Sequence, residues 1–65
     1  MTAHVIAEYE APTAVFEVIE DSDFFASSYY VRERRSGRIV GSGFTTRRRA
    51  VAVAEAEASR RAEER

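Results

Sequence analysis

A chain of 65 residues that contains no Leu, Trp or Cys has little with which to fill a core. Eleven of its 29 hydrophobic residues are Ala, and the large apolar set is seven Val, three Ile, four Phe, three Tyr and one Met. A domain this small buries only about 60% of the surface its unfolded chain exposes. The 65 residues therefore read as one small domain, residues 1–65, for which a homo-oligomer or a bound protein partner would add the stability that a thin core lacks.

The same composition excludes several chemistries. Without Cys there is no disulfide framework, thiolate metal site or cysteine nucleophile, and neither a metal nor a cofactor is expected. No apolar run approaches the roughly 18 residues of a membrane span, and no signal-peptide pattern opens the chain. A soluble cytoplasmic protein with no membrane partner is the expectation. All ten cations are Arg and none is Lys. That bias is more economically read as genomic base composition than as selection for guanidinium chemistry.

The net charge of −1 hides a division along the chain. Residues 1–26 carry Glu8, Glu10, Glu17, Glu20, Asp21 and Asp23 with no cation, whereas residues 27–65 carry all ten Arg against five Glu. Such asymmetry points to an interaction surface, unless the two halves fold together and neutralise each other.

Residues 3–10 alternate as a strand, with Val5, Ala7 and Tyr9 on one face, and Pro12 ends it. Residues 13–20, with Val15, Phe16, Val18 and Ile19, are apolar on both faces and predict a central strand. Residues 20–23 are turn chemistry. Residues 27–35 and 38–44 predict a third and fourth strand joined by a tight hairpin at Ser36-Gly37. A two-residue loop there sets Arg35 opposite Arg38 and Tyr29 opposite Phe44. It gathers Tyr29, Val31, Val40 and Phe44 on one face and Tyr30, Arg32, Arg34, Ile39, Gly41 and Gly43 on the other. A three-residue loop with a bulge at Gly37 is the alternative. From Thr46 onward, Ala, Glu and Arg dominate and predict a helix capped by Thr45 or Thr46. Its buried stripe is Ala50, Val51, Ala54, Ala58 and Ala62, with Val53 at the margin and Glu57–Arg61 as an i,i+4 pair. The fold class is α+β: an antiparallel sheet of three to four strands with one C-terminal helix packed on one face.

Few motifs carry chemistry. His4 is the only His and has no evident catalytic partner. Asp21-Ser22-Asp23 lacks the Gly and terminal Glu of a calcium loop and reads as a polar turn. Gly41-Ser42-Gly43 is an incomplete dinucleotide fingerprint, better explained by a strand bulge or a close approach. Arg32-Glu33-Arg34-Arg35 fits a basic processing site, but nothing implies secretion. The chain does not read as an enzyme. Two features remain. Tyr30 beside Arg32 and Arg34 suits nucleic acid, since guanidinium groups reach phosphates and an aromatic ring stacks on bases. Arg47, Arg48 and Arg49 occupy the first helical turn, where the macrodipole favours acids, so a docked anion would resolve a local conflict.

The run Tyr29-Tyr-Val, Arg35-Ser-Gly-Arg38 and Gly43-Phe-Thr-Thr-Arg-Arg-Arg-Ala50, followed by an Ala-rich helix, resembles a known arrangement. It is similar to the three-stranded-sheet-plus-helix modules at the N-termini of phage tyrosine integrases, the AP2-like DNA-binding domains. Phe44, Thr46, Arg47 and Ala50 match their strand-to-helix junction, while Arg49 stands at a position that is acidic in that family. The resemblance implies that the sheet face with Tyr30, Arg32 and Arg34 enters the major groove. Similar endings occur in HicB-like antitoxins. Two expectations follow. The first is a small phage- or plasmid-type regulatory protein that inhibits or neutralises a protein partner, such as a nucleic-acid-handling complex, through Glu8, Glu10, Glu17, Glu20, Asp21 and Asp23. The second is a nucleic-acid-binding module using Tyr30, Arg32, Arg34, Arg38, Arg47 and Arg48. Near-neutral charge favours the first.

Overall fold

The computed structural model describes residues 2–63. Four strands, β1 (Thr2–Ala11), β2 (Ala14–Ser22), β3 (Ser27–Glu33) and β4 (Ile39–Phe44), precede one helix, α1 (Arg47–Glu63). The strands form an antiparallel sheet in the order β1-β2-β3-β4, and α1 packs across one face of it. This is the α+β architecture expected, with four strands rather than three.

The doubly apolar character of β2 places it between β1 and β3. Ala14, Phe16 and Val18 point toward the helix and are buried with Val31 of β3. β1 departs from simple alternation. Val5 pairs with Ile19 and Ala7 with Val18, so Ile6 is an extra residue opposite no partner. The bulge lets Ile6, Ala7 and Tyr9 all pack on the core and turns Val5 to the opposite face, where it is 40% exposed. Val5 therefore does not share a face with Ala7 and Tyr9.

The expected turn at residues 20–23 lies further along. β2 continues to Ser22 because Glu20, Asp21 and Ser22 pair with Tyr29, Ser28 and Ser27. The chain reverses at Asp23, whose Oδ1 accepts the backbone N–H groups of Phe25 (2.9 Å) and Ala26 (3.0 Å). The β3–β4 connection is also longer than two residues. Glu33 N–H donates to the Arg38 carbonyl (2.8 Å) and Gly37 N–H to the Glu33 carbonyl (2.9 Å), with Gly37 at φ 74°. Residues 34–37 form the loop, and Arg35 no longer opposes Arg38. This relieves the like-charge pair that a two-residue loop would impose.

Tyr29 does face Phe44 as expected, but two register shifts intervene, so Val31 pairs with Gly41 and Arg32 with Ile39. Gly41 consequently lies on the helix side rather than the outer face. A Cβ placed there would sit 2.9 Å from Phe44 Cζ and 3.4 Å from Val53 Cγ1. The shifts bring Val40 and Phe44 onto the core together. Gly43, at φ 75°, supplies the left-handed residue that the outer shift requires.

Thr46 caps α1, its Oγ1 accepting the Arg49 N–H at 3.3 Å. Ala50, Ala54 and Ala58 are the buried stripe. Ala62 is exposed. The neighbouring Arg61 takes the last contact instead, its guanidinium 5.8 Å from the Phe16 ring centroid and 3.3 Å from Glu33 Oε2. Arg61 thus turns away from Glu57, which pairs with Arg60.

Gly41→Ala should cost about 1–3 kcal/mol, because the Phe44 ring has to leave its packed position. Ser42→Ala, one residue away and exposed, should be close to neutral. Urea denaturation midpoints of the two variants provide the check.

Candidate protein-binding surface

The face of the sheet opposite α1 is covered by no element among the described residues. Its side chains are fixed by register. Across the middle, Glu8 lies opposite Glu17, Glu17 opposite Arg32, and Arg32 opposite Ile39. Two carboxylates placed directly opposite repel. Arg34 resolves this, because its backbone N–H bonds to the Val15 carbonyl (2.9 Å) and extends the β2–β3 ladder one residue past Glu33. From there its Nε meets Glu17 Oε2 at 3.1 Å and its guanidinium reaches Glu8. Arg32 donates from Nε and Nη2 to Glu17 Oε1, at 3.2 and 2.9 Å.

Glu17 is 6% exposed and is the buried acid at the centre of this network. Burial pushes its carboxyl pKa up, but the hydrogen bonds and charges of Arg32 and Arg34 outweigh it, and the net shift is downward. Arg34 is held more firmly protonated by Glu8 and then Glu17. Two acids and two bases make the cluster neutral as a unit.

The adjoining row is apolar: Val5, Ile19 and Tyr30 lie side by side on three strands. Ile19 is 3% exposed, while Val5 and, beside Arg32, Ile39 remain open to solvent. The face therefore combines aliphatic, aromatic and internally neutralised charged groups.

Against this frame the residues singled out in the sequence separate. Tyr30, Arg32 and Arg34 do share a face, yet they share it with Glu8 and Glu17. Glu10, opposite Val15, and Asp21, opposite Ala3 and Ser28, flank the network on the same face. Glu20 lies on the helix side, where its Oε2 accepts the Tyr29 hydroxyl (3.0 Å) and its Oε1 is 3.3 Å from His4 Nε2. That hydrogen bond raises the Tyr29 phenol above its ordinary pKa. Asp23 is occupied in the turn, where the N–H groups of Phe25 and Ala26 hold its carboxyl pKa down. The six acids do not form one patch. Arg38 stands at the end of the 34–37 loop, and Arg47 and Arg48 are exposed in the first turn of α1, at the other end of the sheet.

Two features escaped the sequence reading. Phe24 and Phe25, at the β2–β3 turn, are 96% and 95% exposed. Their signal was an aromatic pair directly after Asp-Ser-Asp, where a turn would leave both rings without a core to enter. At the opposite end of the sheet, residues 11–15 and the side chains of Arg34 and Arg35 enclose an open depression of about 500 Å³. Among the described residues no group of three or more His, Asp or Glu is placed to hold a metal ion, and no helix is long and apolar enough to cross a membrane. No family model matches this chain, and neither does any curated protein or solved structure.

Glu17→Gln should destabilise the fold at neutral pH by about 1–3 kcal/mol, since charge-assisted bonds to two half-exposed arginines are lost. Folding lowers the Glu17 pKa, so its contribution is complete above the ordinary value of 4.5 and disappears as pH falls through the lower folded value. The stability gap between wild type and Glu17→Gln should therefore stay constant from neutral pH to about 5 and close on further acidification. Denaturant midpoints across that range measure it.

Proposed function

We propose that this chain is a small non-catalytic regulatory protein that docks on a protein partner and inhibits or neutralises it, the partner being a nucleic-acid-handling complex. The observation that carries this reading is the uncovered sheet face. Its basic and acidic groups are already paired with one another, leaving a neutral centre bordered by Val5, Ile19, Tyr30 and Ile39. Such a mixture suits a protein surface, where aromatic and aliphatic groups enter the buried centre and polar groups the rim. It suits a phosphate backbone poorly, because Arg32 and Arg34 would have to leave Glu17 and Glu8 to neutralise phosphates. Glu10 and Asp21 give the rim an acidic cast, which complements the basic grooves of nucleic-acid-handling proteins.

A nucleic-acid-binding module is the second reading. It is supported by Arg35, Arg38, Arg47, Arg48 and Arg49, which are exposed and make no ion pair among the described residues. The likeness to integrase DNA-binding modules points the same way, and to Tyr30, Arg32 and Arg34 on the sheet face. The first three residues of α1 and the 34–37 loop lie at opposite ends of the sheet, so these arginines offer two separate contacts rather than one groove.

Fluorescence anisotropy of labelled duplex DNA, duplex RNA and single strands at two salt concentrations separates the readings. The protein-docking function predicts no binding at low salt within the roughly 10⁻⁴ to 10⁻⁶ M range of non-specific association. Salt-sensitive binding that Arg47→Glu and Arg48→Glu abolish would replace it with the second reading. A photo-crosslinking residue at Ile39 should then capture a protein that the same residue at Glu55, on the exposed side of α1, does not.

A further inference from the structure

The two ends of the sheet are complementary to each other. At one end the β2–β3 hairpin extends beyond the last β3–β4 pair, Tyr29 with Phe44, and closes in a turn built on Asp23. Besides the two N–H groups accepted by its side chain, Asp23 donates its own N–H to the Ala26 carbonyl at 3.0 Å. A hydrogen bond between Thr2 Oγ1 and Ser22 Oγ (3.1 Å) ties β1 to the base of the same turn. Phe24 and Phe25 are thus held out on a defined turn, almost wholly in water, directly after the acids Asp21 and Asp23. No cation occurs between residues 20 and 31, and the arginines at this end of the sheet, Arg47 and Arg48, belong to the start of α1 rather than to the turn.

At the other end lies the depression between residues 11–15 and Arg34 and Arg35. Its floor is Ala11, Pro12, Ala14 and Val15, and its basic rim is arginine. A volume of about 500 Å³ accommodates two phenyl rings. Arg34 is engaged by Glu8 and Glu17, whereas Arg35 makes no ion pair among the described residues. Apolar content, size and charge all match the hairpin tip, acid against base and ring against hollow. The nine residues of β2 separate the two ends by roughly 27 Å at about 3.3 Å per residue, so one copy cannot satisfy itself.

We propose that copies of this chain associate head to tail, the Phe24–Phe25 tip of one seating in the depression between residues 11–15 and Arg35 of the next. The contact is heterologous, because different surfaces of the two copies meet, and it propagates unless the rotation closes a ring. A tip-to-tip pairing would instead bring Asp21 and Asp23 of both copies together, and like charges oppose that. The assembly uses the ends of the sheet and leaves the middle of the uncovered face available, so it stands independently of the docking function proposed above.

Sedimentation velocity from micromolar to millimolar protein tests this, with two variants altered only at exposed positions. Phe24→Ser with Phe25→Ser removes the tip. Thr13→Glu with Arg35→Glu spoils the socket, and far-UV circular dichroism confirms that both variants fold. Wild type should grow in mean mass with concentration, and each variant should associate at least tenfold more weakly and remain at the mass of one chain. An equimolar mixture should form a two-chain species and nothing larger, because one intact tip meets one intact socket. A wild type that stays at one chain throughout would overturn the proposal. So would a tip variant that still associates, a socket variant that forms tip-to-tip dimers, or a mixture without the two-chain species.

Discussion

The distance of closest approach between α1 and the sheet governs the rest of the molecule. Ala50, Ala54 and Ala58 recur every four residues, and these methyl groups are the helix side chains buried with Phe16, Val18 and Val31, while Val51 and Val53 pack at the margin. A chain with no Leu could not fill the gap of an ordinary helix–sheet interface, so the elements move together until small residues suffice. That closeness reaches β4. Gly41 is where the Phe44 ring and Val53 converge, and any side chain there would push them apart. At the far end of the helix the apolar stripe runs out, and Arg61 closes the layer by lying over Phe16 with its charge held by Glu33.

The second constraint is electrostatic. Register sets Glu8 against Glu17 at the centre of the uncovered face, and a buried carboxylate there is tolerable only while arginines satisfy it. Arg32 and Arg34 do so from β3 and its extension, which links the pairing of β1, β2 and β3 through one cluster. A one-residue slip of β3 would send Arg32 to the helix side and leave Glu17 buried and unpaired, so the network also favours one register over its neighbours. The acidic and basic halves of the sequence thus neutralise each other through specific side chains in the middle of the sheet, while the residues at its ends keep their charge.

This distribution shapes what the protein can do. The proposed docking on a protein partner rests on a sheet face that no element covers among the described residues and whose central charges are paired with one another. The ends of the sheet are different: one carries two phenylalanines directly after Asp21 and Asp23, near the start of α1, the other a hollow with an arginine rim. The proposed docking rests on the charge-compensated middle of that face, rather than on the net charge of either half of the chain.

Much of this was legible in the residues themselves. β-branched and aromatic residues on both faces of residues 13–20 pointed to a central strand, Pro12 to the first turn, and Thr45 or Thr46 with the Ala-rich run to the helix and its buried Ala50, Ala54 and Ala58. These are local preferences, set by backbone sterics, capping and periodicity within a few residues. The tertiary structure alone decided the bulge at Ile6, the four-residue loop at 34–37, the inward position of Gly41 and the pairing of Arg61 with Glu33 rather than Glu57. Each of these trades a local pattern for a contact made far along the chain: a core position for Ile6, distance between Arg35 and Arg38, a place for Phe44, a cover for Phe16. Charge followed the same rule. The sequence determined how many acids and arginines there are and in which half they lie. Only the strand register determined which of them meet, because pairing across a sheet depends on residues up to twenty positions apart.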